Sequence, residues 1–125
     1  MKIGIFDSGI GGLTVFRQLM KKLPNSDYVY LGDTARLPYG IKSRKTVIEY
    51  SIKNTQFLIN KGCDLIVIAC NTASAFAYDI LRKKFNVPIF NVIDSGVFAV
   101  KDSGIQNIGV IATPSTIDSK TYTNR

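Results

Sequence analysis

The chain has 125 residues, 46% of them hydrophobic, and only four prolines, which indicates one compact domain and excludes a disordered tail. Its formal net charge of +7 comes from scattered basic residues without an aromatic-interleaved stripe, so we expect no nucleic-acid partner. The apolar runs are too short for a transmembrane helix, and the N-terminus lacks a signal-peptide pattern, so we expect no membrane partner and a cytoplasmic location.

The two cysteines and the absence of histidine argue against a metal site. Cys63 and Cys70 lie at opposite ends of one predicted strand, about 20 Å apart at the rise of an extended chain. This separation is too large for a disulfide, so we expect both thiols to be free, as in a reducing compartment.

The first half of the chain alternates predicted strands and helices. Residues 3–6 and 28–31 have the pattern of buried strands. A helix after the first strand would place Leu13, Phe16, Leu19, Met20 and Leu23 on its inner face. Residues 32–43 are a predicted loop, and a second helix ending before Gly62 would bury Ile48, Ile52, Thr55, Leu58 and Ile59.

The second half continues the alternation. Residues 65–69, 88–92 and 108–112 are predicted strands, with helices over residues 73–85, from about 97 to 101, and after the turn at residues 113–116. Strands that alternate with helices at this spacing predict an α/β fold. We therefore expect an open parallel sheet of about five strands with helices on both faces and right-handed crossovers.

Chemistry-bearing side chains follow the predicted strands at several turns. Because strand-to-helix turns lie along one edge of a parallel sheet, these side chains can converge on one crevice. Glycines after the first strand resemble part of a dinucleotide-binding fingerprint, but Thr14 replaces the third glycine and Asp7 would repel a pyrophosphate. A nucleotide site is therefore disfavoured, and no phosphate loop ending in Gly-Lys-Ser/Thr is present.

Cys70 is the strongest chemical candidate, because it stands between a buried strand and a helix. A helix N-terminus lowers the pKa of a thiol from about 8.5 and favours the reactive thiolate. The alternative for Cys70 is a small buried hydrophobic residue, which is the role we assign to Cys63. Asp7 either relays a proton to the thiol or caps the following helix. Substrate positioning and turn or cap chemistry both remain open for Tyr39, Asn71, Thr72 and Thr116.

Four motifs together carry a family resemblance. They are FDSGIGGL at residues 6–13, DTARLPYG at 33–40, ACNTAS at 69–74 and the threonine turn ending at Thr116. In this order and spacing, the sequence resembles the N-terminal half of the glutamate racemases, within the aspartate/glutamate racemase superfamily. The Asp-Ser-Gly and Pro-Tyr-Gly turns favour this family over its aspartate and hydantoin relatives.

The resemblance implies an isomerase that interconverts L- and D-glutamate without a cofactor and supplies D-glutamate for peptidoglycan. Two cysteines on opposite sides of the substrate α-carbon exchange its proton, and Cys70 would be one of them. The resemblance further implies that Asp7 assists Cys70 in catalysis and contributes to substrate binding. It assigns the holding of the ammonium and carboxylates to Ser8, Tyr39, Gly40, Asn71, Thr72 and Thr116, and implies a homodimer for the intact enzyme.

The second cysteine of that family comes from a second lobe, which is not part of this sequence. We therefore expect residues 1–125 to be a truncated N-terminal lobe that is inactive by itself. The alternative is a single-lobe module that binds an acidic amino acid or a similar small anion through the same turns, without catalysis.

Overall fold

The computed structural model describes all residues, 1–125, and its strands and helices alternate along the chain. The elements are β1 (Lys2–Asp7), α1 (Leu13–Lys22), β2 (Asp27–Gly32), α2 (Arg44–Asn60), β3 (Leu65–Ile68), α3 (Asn71–Lys84), β4 (Ile89–Asn91), α4 (Val92–Ser103) and α5 (Pro114–Asp118). Two short 3-10 turns, Thr34–Arg36 and Tyr39–Ile41, shape the loop between β2 and α2.

The four strands form one parallel sheet in the order β2-β1-β3-β4. The apolar strands β1 and β3 lie in the centre, where Ile3 pairs with Leu65 and Ile5 with Val67. Strands buried on both faces need apolar residues at successive positions, as these two have. The predicted open parallel α/β sheet is confirmed, and its carboxyl edge carries the turns that the sequence singles out.

Each face of the sheet has its own apolar cluster. On one face, Phe6, Ile66 and Ile68 belong to a cluster that includes Leu58 of α2 and Leu81 of α3. On the other face, Ile3, Ile5, Val67 and Ala69 pack against Val15, Phe16 and Leu19 of α1. Because adjacent residues of a strand point to opposite faces, one apolar run supplies both clusters, and helices cover both faces as predicted.

The buried faces of two helices differ from the sequence prediction. Leu13 and Met20 of α1 and Leu23 directly after it are exposed, because only the stripe containing Phe16 and Leu19 meets the sheet. In α2, the buried positions are Val47, Ser51, Asn54, Thr55 and Leu58, whereas the isoleucines are partly buried. The buried face of α2 is therefore shifted by about one residue from the predicted face. Hydropathy assigns Ser51 and Asn54 to solvent, whereas the structure buries both. Gly62, at φ +78°, follows its C-terminus as predicted.

The predicted fifth strand, residues 108–112, is wrong. Residues 105–113 contain neither helix nor strand, and Ile105, Ile108, Val110 and Ile111 are exposed. A strand requires a neighbour for its backbone hydrogen bonds, and the apolar pattern of these residues cannot supply one. The sheet therefore ends at the three-residue strand β4. None of the helices has both the length and the apolar character to span a membrane.

Candidate active site at the carboxyl edge of the sheet

Cys70 lies two residues after the end of β3 and is the N-cap of α3. Its backbone is still extended, with φ −91° and ψ 123°, and its sulfur accepts a hydrogen bond from the Ala73 N–H at 3.5 Å. The residue is 6% exposed. The end of the sheet thus presents one nearly buried thiol at a helix N-terminus, where the sequence predicts it.

Ser8 is the direct side-chain partner of the thiol. The Cys70 thiol donates to Ser8 Oγ at 3.6 Å, although the two residues are 62 positions apart in the chain. This contact exists because β1 and β3 are adjacent parallel strands, so their carboxyl ends meet. The first and third turns therefore share one site.

The pKa of the Cys70 thiol corrects the sequence expectation, which was a lowered value. Burial raises the pKa of Cys70 and is the largest effect. The Ala73 N–H and the Ser8 hydroxyl act in the opposite direction, while the nearby Asp7 carboxylate raises the value further. Helix position alone does not decide the protonation state, because desolvation of the thiolate outweighs the donors at the helix start.

Asp7 is the buried last residue of β1, directly before the glycine turn. Its Oδ2 accepts hydrogen bonds from the N–H of Gly9 at 3.2 Å and from the N–H of Gly12 at 3.0 Å. These amides are the groups that a nucleotide phosphate would need, and the carboxylate of the chain occupies them. Asp7 therefore closes the glycine turn before α1 rather than capping the first helical amides, and its Oδ1 has no hydrogen bond to the protein.

Tyr30 is a neighbour of this site that the sequence does not reveal. Its hydroxyl donates to the Gly9 carbonyl at 3.1 Å, which braces the glycine turn from β2. Burial, with smaller contributions from the Asp7 and Cys70 charges, raises the pKa of Tyr30 to about 12. The only sequence signal is a polar-tipped aromatic residue near the carboxyl end of an edge strand.

Three threonine hydroxyls converge at the start of α3 and α5. Thr113 Oγ1 lies 3.0 Å from Thr116 Oγ1 and 3.2 Å from Thr72 Oγ1. Thr72 and Thr116 are both buried, and their hydroxyls are 3.5 Å apart. The structure therefore brings together two predicted binding residues and adds Thr113 to them.

The Tyr39–Gly40 segment lies against α5. Gly40 approaches Thr113 so closely that a Cβ at Gly40 would stand 2.8 Å from Thr113 Cγ2. The Gly40 carbonyl accepts a hydrogen bond from the Ser115 hydroxyl. The N–H groups of Tyr39 and Gly40 have no acceptor in the protein, whereas the Tyr39 hydroxyl is turned into the interior. Both residues are buried, and their backbone N–H groups, rather than the Tyr39 hydroxyl, are the polar groups of this segment that lack a partner in the protein.

Asn71 and Cys63 occupy different surroundings. Asn71 is exposed at the first position of α3, and its Oδ1 accepts from the Tyr122 hydroxyl at 2.6 Å. Cys63 is free and buried in the apolar cluster at the opposite end of β3. The structural role predicted for Cys63 is confirmed, and Cys70 is the thiol at the carboxyl edge.

The arrangement as a whole offers one thiol, one carboxylate, several hydroxyls and unpaired backbone amides. No group of three or more carboxylate, thiol or imidazole side chains is close enough to hold a metal ion. Hydroxyls and amides suit the binding of a small, charged and hydrogen-bonding molecule, and a thiol beside them suits proton transfer.

Comparisons with known proteins identify the family of this chain. A model of the Asp/Glu/hydantoin racemase family matches residues 6–125. The glutamate racemase of Aquifex pyrophilus is 56% identical over 123 residues, covering 98% of this chain and 48% of that protein. The structure of glutamate racemase from Aquifex pyrophilus has a TM-score of 0.94 at 55% identity, over 99% of this chain and 50% of that one.

A second solved structure, glutamate racemase from Francisella tularensis in complex with D-glutamate, has a TM-score of 0.90 at 48% identity. It covers 98% of this chain and 46% of its own. The chain thus spans about half the length of the curated relatives it matches. It belongs to the Asp/Glu/hydantoin racemase family and corresponds to the N-terminal half of proteins named glutamate racemase.

Proposed function

We propose that this chain is the N-terminal half of a cofactor-independent glutamate racemase and supplies one of its two proton-transferring thiols. The observation that carries the proposal is the buried Cys70 thiol at the start of α3, in contact with Ser8 and beside Asp7. The Francisella tularensis relative that binds D-glutamate supports glutamate as the substrate.

In the proposed reaction, the Cys70 thiolate removes the α-proton of glutamate and becomes a thiol. A second thiol, from the half of the protein outside this chain, donates a proton to the opposite face of the α-carbon. The stereocentre is inverted, and one proton has moved onto Cys70 while one has left its partner. The reverse direction exchanges the two roles.

The remaining site residues would bind the substrate and stabilise its transition state. The unpaired N–H groups of Tyr39 and Gly40 can donate to a carboxylate, as can the hydroxyls of Thr72 and Thr116. The Thr72 and Thr116 hydroxyls, as fixed donors in a site that excludes water, would also stabilise the negative charge that develops as the α-proton leaves. Ser8 and Asn71 would complete the contacts to the ammonium and carboxylates.

The raised pKa of Cys70 fits this scheme. A buried thiol remains protonated in the empty site, because its charged form is desolvated. The positively charged ammonium of a bound amino acid would offset that cost and favour the thiolate. Substrate binding would therefore activate the base, with Asp7 available to accept or relay a proton.

The same proposal implies a biological role, a cellular location and an oligomeric state. The product D-glutamate would serve peptidoglycan synthesis, in the cytoplasm, where a free thiol stays reduced. The intact enzyme would be a homodimer.

The first test compares the two cysteines in the intact protein. Cys70→Ala is expected to lower kcat/KM for racemisation of glutamate at least about 100-fold, because it removes a general acid/base. Cys63→Ala removes a buried thiol of the same kind at the opposite end of β3, and its activity is expected to stay within about threefold of the wild type. Circular dichroism of the substrate measures the rate of racemisation from L- to D-glutamate and from D- to L-glutamate.

A Cys70→Ala protein that is folded and racemises glutamate at the wild-type rate would contradict the proposal. A loss of activity that is equal in both variants would also contradict it, since Cys63 lies outside the site. The melting temperature of each variant separates loss of chemistry from loss of structure.

A second candidate function is a binding module for an acidic amino acid without catalysis. It is favoured by one observation: the carboxyl edge of this chain carries a single thiol, which cannot both remove a proton from one face and return one to the other. Binding of glutamate by the isolated chain without exchange of its α-proton agrees with both functions. A reading frame that continues beyond Arg125 without a further cysteine close to a histidine would favour the module.

A further inference from the structure

A buried polar cluster lies behind the Tyr39–Gly40 segment. The Tyr39 hydroxyl donates to Asp33 Oδ2 and accepts from Asn54 Nδ2 at 3.0 Å. Arg36 binds the same Asp33 oxygen at 3.2 Å, and its guanidinium lies 4.8 Å from the centre of the Tyr50 ring. We call Asp33, Tyr39 and Asn54 the tyrosine cluster. None of its side chains has a part in the proposed proton transfer.

The tyrosine cluster connects three parts of the fold. Asp33 directly follows β2, Tyr39 belongs to the loop, and Asn54 projects from the middle of α2. All three residues are buried, and Tyr39 is only 1% exposed. Loss of one partner would leave a buried polar group without a hydrogen bond, which is costly in a dry interior. The cluster therefore ties the loop firmly to the sheet and to α2.

The backbone of the same segment faces the other way, toward α5. Gly40 packs against Thr113, and the Ser115 hydroxyl donates to its carbonyl. The N–H groups of Tyr39 and Gly40 are left without protein acceptors beside the threonine hydroxyls. The position of these two donors depends on a side chain anchored 15 residues along the chain, at Asn54.

We infer that Asp33 and Asn54 are positioning residues, which hold the Tyr39 and Gly40 N–H groups in place for a carboxylate of the substrate. This inference rests on the proposed function, because it names the ligand group that those amides receive. Tyr39 acts through its backbone, and its hydroxyl is an anchor that never contacts the substrate. Donors held in a fixed position bind the substrate and the transition state alike, so their misplacement raises KM more than it lowers kcat.

The test uses Asn54→Leu in the intact protein, with Thr55→Val as the matched control. Thr55 is the next residue of α2 and is fully buried, but its hydroxyl has no hydrogen-bond partner. Asn54→Leu is expected to raise KM for both enantiomers about tenfold, with kcat within about threefold of the wild type. Thr55→Val is expected to leave both constants unchanged. A variant that merely contained less folded enzyme would show a lower kcat at an unchanged KM.

A second readout does not require activity. The Lys42 N–H donates to the Tyr39 carbonyl at 3.0 Å, so its hydrogen exchange reports the order of this turn. Exchange at Lys42 is expected to be about tenfold faster in Asn54→Leu than in Thr55→Val. If Asn54→Leu does not fold, Tyr39→Phe carries the same two measurements, because it removes only the anchoring hydroxyl.

An unchanged KM together with unchanged exchange at Lys42, in a folded variant, would overturn the inference. Failure of the proposed function gives a different result, since the wild-type protein would then not racemise glutamate. The exchange difference at Lys42 would persist in that case, and it separates the two failures.

Discussion

At the scale of single residues, Cys70 is a thiol whose surroundings act on its pKa in opposite directions. Burial and the Asp7 carboxylate raise the pKa, while the Ala73 N–H and the Ser8 hydroxyl lower it. Burial has the largest effect, so the thiol form dominates in the empty site at neutral pH. The reaction in the direction where Cys70 acts as base should therefore speed up as pH rises.

The two neighbours of the thiol predict opposite shifts of this pH profile. Ser8→Ala removes a group that stabilises the thiolate and lowers the pKa of Cys70, so the ascending limb of kcat/KM should move to higher pH. Asp7→Asn removes a repelling negative charge, so the limb should move to lower pH. Initial rates of the intact protein between pH 6 and about 10, in both directions, measure the shifts.

The opposite signs provide the internal control of this experiment. General damage to the site would lower the rates of both variants without moving their limbs apart. Asn at position 7 keeps an oxygen that can accept from the Gly9 and Gly12 amides, so the glycine turn should persist. Limbs that shift in the same direction would refute the assignment of Cys70 as the titrating base.

At the scale of elements, the glycine turn after β1 connects the first strand to α1 and holds Asp7. Its glycines are not equivalent. A Cβ at Gly12 would stand 2.8 Å from both Ala69 Cβ and Asp7 Cβ, although Gly12 has an ordinary helical φ of −63°. Gly9 has nothing within 4 Å of that position. Position 12 therefore requires glycine because the turn packs closely against the end of β3.

Gly12→Ala and Gly9→Ala form a matched pair that tests this view. Gly12→Ala is expected to cost about 1–3 kcal/mol of unfolding free energy, because the clash involves Cβ atoms that cannot swing away. Gly9→Ala should stay within about 0.5 kcal/mol of the wild type. Urea unfolding of the 125-residue chain measures both values. Equal effects at the two positions would show that backbone conformation, rather than packing, limits the turn.

At the scale of the whole molecule, the carboxyl edge of the sheet carries one thiol, Cys70. Cys63 is buried at the other end of β3 and lies outside the site. The segment after α4 lacks a packing partner, since Ile111 is 103% exposed and residues 105–113 join no strand of the sheet. Proton transfer at both faces of an α-carbon needs groups on both sides, and this chain presents one.

The isolated chain of 125 residues should therefore fail to racemise glutamate. In deuterated water, circular dichroism of L-glutamate is expected to stay unchanged, because no second group returns a proton to the opposite face. Far-ultraviolet circular dichroism of the protein establishes that the chain is folded. The control is the intact protein under the same conditions, which should interconvert the enantiomers and exchange the α-proton.

Racemisation of L-glutamate by the isolated chain, if it disappeared in Cys70→Ala, would overturn this expectation. It would mean that one thiol can remove and return the proton. An isolated chain that binds glutamate without exchange would agree with the proposal.

Local pattern made most of the architecture predictable. The apolar run before Cys70 identifies a strand buried on both faces, and the helical spacing after it places the thiol at a turn. Gly62 marks the end of α2 because a left-handed residue there favours glycine. The run at residues 108–112 is equally apolar but forms no strand, because a strand also needs a partner.

By itself, the sequence determined the α/β alternation, the edge where the turns meet, and Cys70 as the thiol at that edge. These features depend on residues close together in the chain, whose spacing is visible in the sequence. The tertiary structure decided the raised pKa of Cys70, the burial of the Tyr39 hydroxyl on Asn54, and the occupation of the glycine amides by Asp7. Desolvation and hydrogen bonding depend on which distant residues fill the surrounding space, and only the folded chain determines that.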